Sequence, residues 1–239
     1  MTDTIEKRFQ IVLENIDKAC AASGRQTNEV TLVVVTKGQP VSKIMEVVNA
    51  GATILGENYP EETQRKINEI AGNINPIWHM IGHLQSRKIK LMHPHFQLIH
   101  SLDSLDLAEK LNRFYKSIST MCNVLVEVNL AGEMSKQGFD CQSKQKQEEF
   151  FAVIDNLMGY KHLNLLGLMT MPPYAVDSKQ NDAYFHTCSD LRWKIKDRIG
   201  SSVFNHTSMG TSADYENAIE CGGTIIRVGE AIMGKRSYQ

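Results

Sequence analysis

Apolar residues recur at Ile5, Phe9, Val12, Leu13, Ile16 and Ala19, the spacing of one helix face, and predict a helix over residues 3–23. The period then changes. Thr31-Leu-Val-Val-Val carries five residues of high strand propensity, apolar on both faces and too short for a helix, so it reads as a buried parallel strand. Gly38 and Pro40 stop it just after Lys37, and Ser42 is expected to cap a helix running to Asn49, which Gly51 ends. A second strand is expected over Ala52–Glu57 and a helix over Glu61–Ile70. A third strand over Ile77–Gly82 leads into a basic helix through Lys90, and a fourth over Leu98–Asp103 into a helix with Leu105, Ala108 and Leu111. The fifth strand is Val124–Asn129.

Residues 131–138 then delay the next helix by more than the few residues usual between strand and helix, a length more often functional than idle. Leu165–Thr170 is the sixth strand, broken by Pro172-Pro173 and followed by a long helix with Phe185, Leu191 and Ile195. Val203–Met209 and Thr224–Val228 supply the seventh and eighth, with a short helix around Tyr215–Ile219 between them. Eight strands, each followed by a helix or the start of one, predict a closed (β/α)8 TIM barrel of the α/β class, preceded by the extra N-terminal helix. No linker or shift of composition divides the chain, so residues 1–239 are read as one domain.

With 26 basic and 27 acidic side chains the net charge is -1, which gives no electrostatic reason to expect nucleic acid or an anionic membrane as partner. The five cysteines are widely spaced and odd in number, so they read as free thiols of a reducing cytoplasm rather than a disulfide framework or zinc site. There is no apolar run long enough to span a membrane and no leader pattern at the N-terminus. A soluble cytoplasmic protein with a small-molecule partner is expected.

In such barrels the active site lies at the carboxyl ends of the strands. The residues expected there are polar: Lys37, Glu57 with Asn58, His83, Ser101 with Asp103, Asn129, Thr170, Ser208 and Arg227. Singly each has a plain structural explanation; Asp103 or Ser104, for instance, suits a helix N-cap. Together they favour a strand-end lysine whose amine attacks a carbonyl. Ser208-Met-Gly-Thr-Ser-Ala-Asp214 and Arg227-Val-Gly-Glu-Ala231, after strands seven and eight, have the glycines, hydroxyls and free N–H groups of an anion cup. A phosphorylated aldehyde fits lysine and cup together. His79 and His83 are four apart but lack the glutamate of a zinc helix and fall on a strand, so no metal is expected.

Thr36-Lys37, Gly56-Glu-Asn-Tyr59, Trp78-His-Met-Ile-Gly-His-Leu-Gln-Ser86, Ile99-His-Ser-Leu-Asp103, Val128-Asn129 through Glu133, Lys136 and Gly138, Gly167-Leu-Met169, Ser208 through Tyr215 and Arg227-Val-Gly229 together resemble the pyridoxal phosphate homeostasis protein family, the small relatives of alanine racemase. The resemblance covers almost the whole chain, in order. It implies a fold type III barrel that binds pyridoxal 5′-phosphate (PLP) as an internal aldimine at Lys37. By the same resemblance Arg227 faces the pyridine nitrogen, and the backbone of Gly229 and Glu230 donates to the phosphate. Ser208, with Gly210 and Thr211 or Ser212, completes the cup, and Asn58 and His83 stand by the ring. A charged arginine cannot protonate the ring nitrogen, which leaves the cofactor a weak electron sink suited to storage. Glu230 departs from a small hydroxyl residue expected in many members, so only its backbone N–H is assigned to the phosphate.

The expected function is therefore that of a PLP carrier and regulator without appreciable amino-acid turnover, a monomer that hands the cofactor to apo-enzymes. Two alternatives stay open. An amino-acid racemase would use the same lysine, but the chain ends at Gln239 without the C-terminal β domain that brings the racemase its second acid/base. A Schiff-base aldolase would use Lys37 and the anion cup but gives Arg227 no role.

Overall fold

The structure is a computed structural model that describes residues 4–70, 75–133, 136–173 and 178–235. In chain order it contains α1 (Ile5–Ala22), β1 (Thr31–Val35), α2 (Val41–Asn49), β2 (Ile54–Glu57), α3 (Pro60–Ile70), β3 (Ile77–Met80), β4 (Phe96–Leu102), α4 (Leu105–Ser117), β5 (Cys122–Asn129), β6 (Phe139–Asp140), α5 (Lys144–Met158), β7 (Leu163–Thr170), α6 (Asp182–Ile199), β8 (His206–Ser208), α7 (Tyr215–Glu220), β9 (Ile225–Val228) and α8 (Glu230–Met233). Every strand pairing is parallel. β1 lies between β2 and β9, and β4 pairs with β5, so β1-β2-β3-β4-β5-β7-β8-β9 closes into the expected eight-stranded barrel.

The core has two layers, as alternating strand residues require. Val33, Leu98, Leu125, Met169 and Ile225 meet inside the barrel, while the larger outer layer sits between strands and helices. α1 belongs to that outer layer. Its Ile5, Phe9, Val12, Ile16 and Ala19 are buried, Arg8 Nε donates to Ile232 O at 2.7 Å, and Asn15 Nδ2 donates to Tyr215 OH at 3.1 Å.

Several local expectations are corrected. α2 begins at Val41 with Pro40 as N-cap and no side-chain cap, because the proline already supplies the extended entry and Ser42 lies inside the helix. The basic segment Ser86–Leu91 is a 3-10 helix rather than an α-helix, its six residues closed by i to i+3 bonds such as Lys88 N to Gln85 O. The seventh barrel strand is only His206–Ser208. Val203 and Phe204 precede it in a turn in which Ser201 Oγ accepts from both their N–H groups, and Phe204 is buried as core, which made the apolar run look like strand. The delayed connection after β5 contains β6, which pairs outside the ring through Val128–Phe139 and Asn129–Asp140. Residues 134–135 of that connection lie outside the described residues. Ser104, of the two candidates, caps α4: its Oγ accepts from Leu107 N at 3.3 Å.

Candidate functional site

The carboxyl ends of β1, β7, β8 and β9 surround an open cleft of about 530 Å³. Lys37, Thr211, Ser212, Arg227, Gly229 and Glu230 line it together with Val35, Ile81 and Met171. Six of the ten residues named from the sequence thus share one cleft. Gly210 lines an adjoining one, with Thr211, Arg227, Lys136 and Asp214. Asn58, His83 and Ser208 are not among the residues lining either cleft.

Arg227 is placed by β9, whose pairing with β1 puts it opposite Val33. It is 3 % exposed, and its Nη1 donates to Ser208 Oγ at 2.6 Å and its Nη2 to Thr170 O at 3.1 Å. Burial pushes its pKa down to about 10, so it stays a cation at neutral pH. Ser208 is therefore not a rim hydroxyl. It is fully buried, and its oxygen is held between Arg227 and His100 Nδ1, 2.8 Å away, which makes it a support for the arginine. His100 Nε2 meets His79 Nδ1 at 3.0 Å. Burial holds His79 down to about 4 and His100 well below its ordinary value, so both are neutral inside the barrel.

The loop after β8 is built around Asp214. Its Oδ1 accepts from Thr211 N at 2.7 Å and Thr211 Oγ1 at 3.1 Å, and its Oδ2 from Asn181 Nδ2 at 2.8 Å. Gly210 has φ +84, and a Cβ there would meet Ala218 Cβ at 2.6 Å, so glycine lets α7 pack onto the loop. Ser212 Oγ accepts from Gly229 N and Ala231 N, both at 3.1 Å. Two backbone donors after β9 therefore converge on one oxygen, which is the chemistry a phosphate oxygen would use. The donor set fits a phosphorylated aromatic aldehyde: a primary amine and converging N–H groups on one cleft wall, with a guanidinium at its floor.

Asn58 lies directly over Gly82, where a Cβ would come within 2.7 Å of Asn58 Cα. His83 is about half exposed at 49 %, and its Nδ1 meets Asp103 Oδ2 at 2.7 Å. Ser101 Oγ donates to Gly82 O at 2.6 Å and ties the ends of β3 and β4 together.

Sequence reasoning missed Glu127. It points inward from β5 and, through burial first and the nearby Asp103 second, its pKa is raised to about 7 although Arg227 and His83 pull it down. A lone acid within Val124-Leu-Val-Glu-Val128 was the available signal. His100, a lone histidine in an apolar strand, was another. Nothing in the sequence marked Lys66 as buried. Among the described residues no group of three or more His, Cys, Asp or Glu could hold a metal ion, and no helix is long and apolar enough to cross a membrane.

The family model described as alanine racemase, N-terminal domain, matches residues 10–237. The chain is 33 % identical over 235 residues to the pyridoxal phosphate homeostasis protein of Haemophilus influenzae, covering 98 % of this chain and 97 % of that one. Among solved structures, an unknown protein from Bifidobacterium adolescentis superposes with a TM-score of 0.84 at 32 % identity, covering 95 % of this chain and 94 % of that one. PipY of Synechococcus elongatus with PLP bound superposes with a TM-score of 0.79 at 28 % identity, covering 92 % of this chain and all of that one (100 %).

Proposed function

Since this chain belongs to the pyridoxal phosphate homeostasis protein family and carries the alanine racemase N-terminal fold, we propose that it binds PLP in the cleft at the carboxyl end of the barrel and serves PLP homeostasis as a carrier. Lys37 is the anchoring amine: its Nζ condenses with the cofactor aldehyde to a Schiff base and releases water. The N–H groups of Gly229, Glu230 and Ala231, with Ser212 and Thr211, receive the phosphate. Arg227 faces the ring nitrogen and, being charged, holds it unprotonated. Gly210 shapes the loop, and Asn58 and His83 flank the ring from β2 and β3. When bound, PLP supplies an electron-withdrawing ring, and this chain's residues limit rather than enhance that property.

The single observation that carries the proposal is the presence in one cleft of Lys37, Arg227 and the N–H groups of Gly229 and Ala231 gathered on Ser212. The carrier acts as a cytoplasmic monomer and passes PLP to apo-enzymes. Its test is to incubate the PLP-loaded protein with an apo PLP-dependent enzyme and, separately, with L-alanine and L-serine. Restored activity of the apo-enzyme, without racemisation, decarboxylation or transamination by the loaded protein, is expected. Racemisation lost in both Lys37→Ala and His83→Phe would instead establish a two-base racemase in which the His83–Asp103 pair serves the second face.

A further inference from the structure

Beneath Lys37 lies a buried ionic cluster that the binding of PLP does not require. Lys66 on α3 is 6 % exposed, Glu57 at the end of β2 and Thr36 after β1 fully buried. The Lys66 ammonium spends its three donors on Thr36 O at 2.9 Å, Glu57 Oε1 at 2.6 Å and Glu62 Oε1 at 2.6 Å. Glu57 Oε1 also accepts from Thr36 Oγ1 at 2.7 Å. Glu62 Oε1 also accepts from the backbone N–H of Gly38 at 3.0 Å.

As a stability device this is a poor choice, because burying the Lys66–Glu57 pair costs about as much desolvation as its attraction returns and an apolar pair would serve as well. What the ions do that apolar side chains could not is grip backbone. Thr36 C=O belongs to the peptide before Lys37, and it accepts from both Lys66 Nζ and Gln39 N. Gly38 N–H belongs to the peptide after it. Gly38 has φ +68, a left-handed turn that glycine permits and that the Glu62 tether and the Gln39 N to Thr36 O bond hold. The two peptide planes that bracket the Lys37 Cα are therefore fixed from α3, and with them the direction in which the Lys37 side chain leaves the backbone.

We propose that Lys66, acting through Glu57 and Glu62, is a positioning residue that aims Lys37 at the aldehyde. This rests on Lys37 being the PLP anchor. The reaction it governs is condensation of the Lys37 amine with the aldehyde carbon, with the carbonyl oxygen leaving as water.

Lys66→Met would strand the Glu57 carboxylate in the interior and unfold the site for reasons unrelated to aim, so the informative variants are at Glu62, whose side chain is 26 % exposed. Glu62→Ala is expected to keep its circular dichroism spectrum while hydrogen exchange of the Gly38 amide accelerates. Capture of PLP at Lys37, trapped by borohydride and counted by peptide mapping, is expected to slow roughly tenfold, the scale of a small misplacement of a reacting group. Glu62→Gln retains an amide oxygen for Gly38 N–H and Lys66 and is expected to recover most of both readouts. Wild-type capture by Glu62→Ala would overturn the proposal, as would unchanged exchange at Gly38. If the wild-type protein itself captures nothing at Lys37, the anchor reading falls and this inference with it. Wild-type capture in both proteins, by contrast, removes only the clamp.

Discussion

At the residue scale the site places a carboxyl group where its ionisation is costly. Glu127 titrates at about 7 against an ordinary value of 4.5 because β5 carries it inside the barrel beside Asp103. A carboxyl whose folded pKa is raised favours the native state while it is protonated. Its penalty therefore appears as pH rises from the unfolded value near 4.5 through the folded value near 7, and is complete above that. Glu127→Gln is expected to stabilise the cofactor-free protein at pH 8 by on the order of 3 kcal/mol, since a carboxyl ten times harder to ionise in the folded than in the unfolded chain costs about 1.4 kcal/mol. The gain should shrink on acidification through that window and vanish well below pH 4.5, where Glu127 is neutral in both states. Denaturant midpoints of both proteins at pH 4.5, 6 and 8 check this. A gain independent of pH would mean that packing, not charge, limits the position.

At the element scale the site depends on how closely β7 and β8 approach. Gly167 in β7 sits just past a register shift against β5 and pairs with His206 of β8. It has φ +154, and a Cβ there would stand 1.9 Å from His206 O, so no side chain fits without parting the strands. Gly167→Ala is expected to cost more than about 3 kcal/mol, at the upper end of overpacking costs. It should also loosen Ser208, two residues beyond His206, and so Arg227. A thermal melt with a PLP titration measures both effects. The elements themselves were largely legible, because buried parallel strands announce themselves as short apolar runs and helices by period. The errors arose where another force ruled: Phe204 is core without being strand, and the Ser86–Leu91 segment closes through i to i+3 bonds such as Lys88 N to Gln85 O instead of an α-helical ladder. β6 was illegible since two residues carry no period. Of the candidate site, the strand-end residues Lys37 and Arg227 and the residues after β8 and β9 could be read towards one cleft because the barrel gathers strand ends at one rim, whereas Asn58, His83 and Ser208 do not line it. Lys66 and Glu127 were not named, and His100 only within the Ile99–Asp103 motif and without a role, since their roles come from burial, which depends on partners distant in the chain.

At the scale of the whole molecule, α1 ties the start of the chain to α7 and α8. Arg8 bonds α8 through Ile232 O and Asn15 bonds Tyr215 of α7. Removing residues 1–23 would expose the outer faces of α7 and α8. The truncated protein is expected to lose PLP affinity by at least tenfold, or about 1.4 kcal/mol, and to melt well below the full chain. Equal affinity would show that the cup stands without α1. Whether this barrel anchors PLP on one lysine is decided by adding PLP, reducing with borohydride and mapping the modified peptide. The expected product is one phosphopyridoxyl group per chain on Lys37, with its absorbance absent from Lys37→Ala although that variant folds. A reduced adduct on another lysine, or full labelling of Lys37→Ala, would contradict anchoring at Lys37.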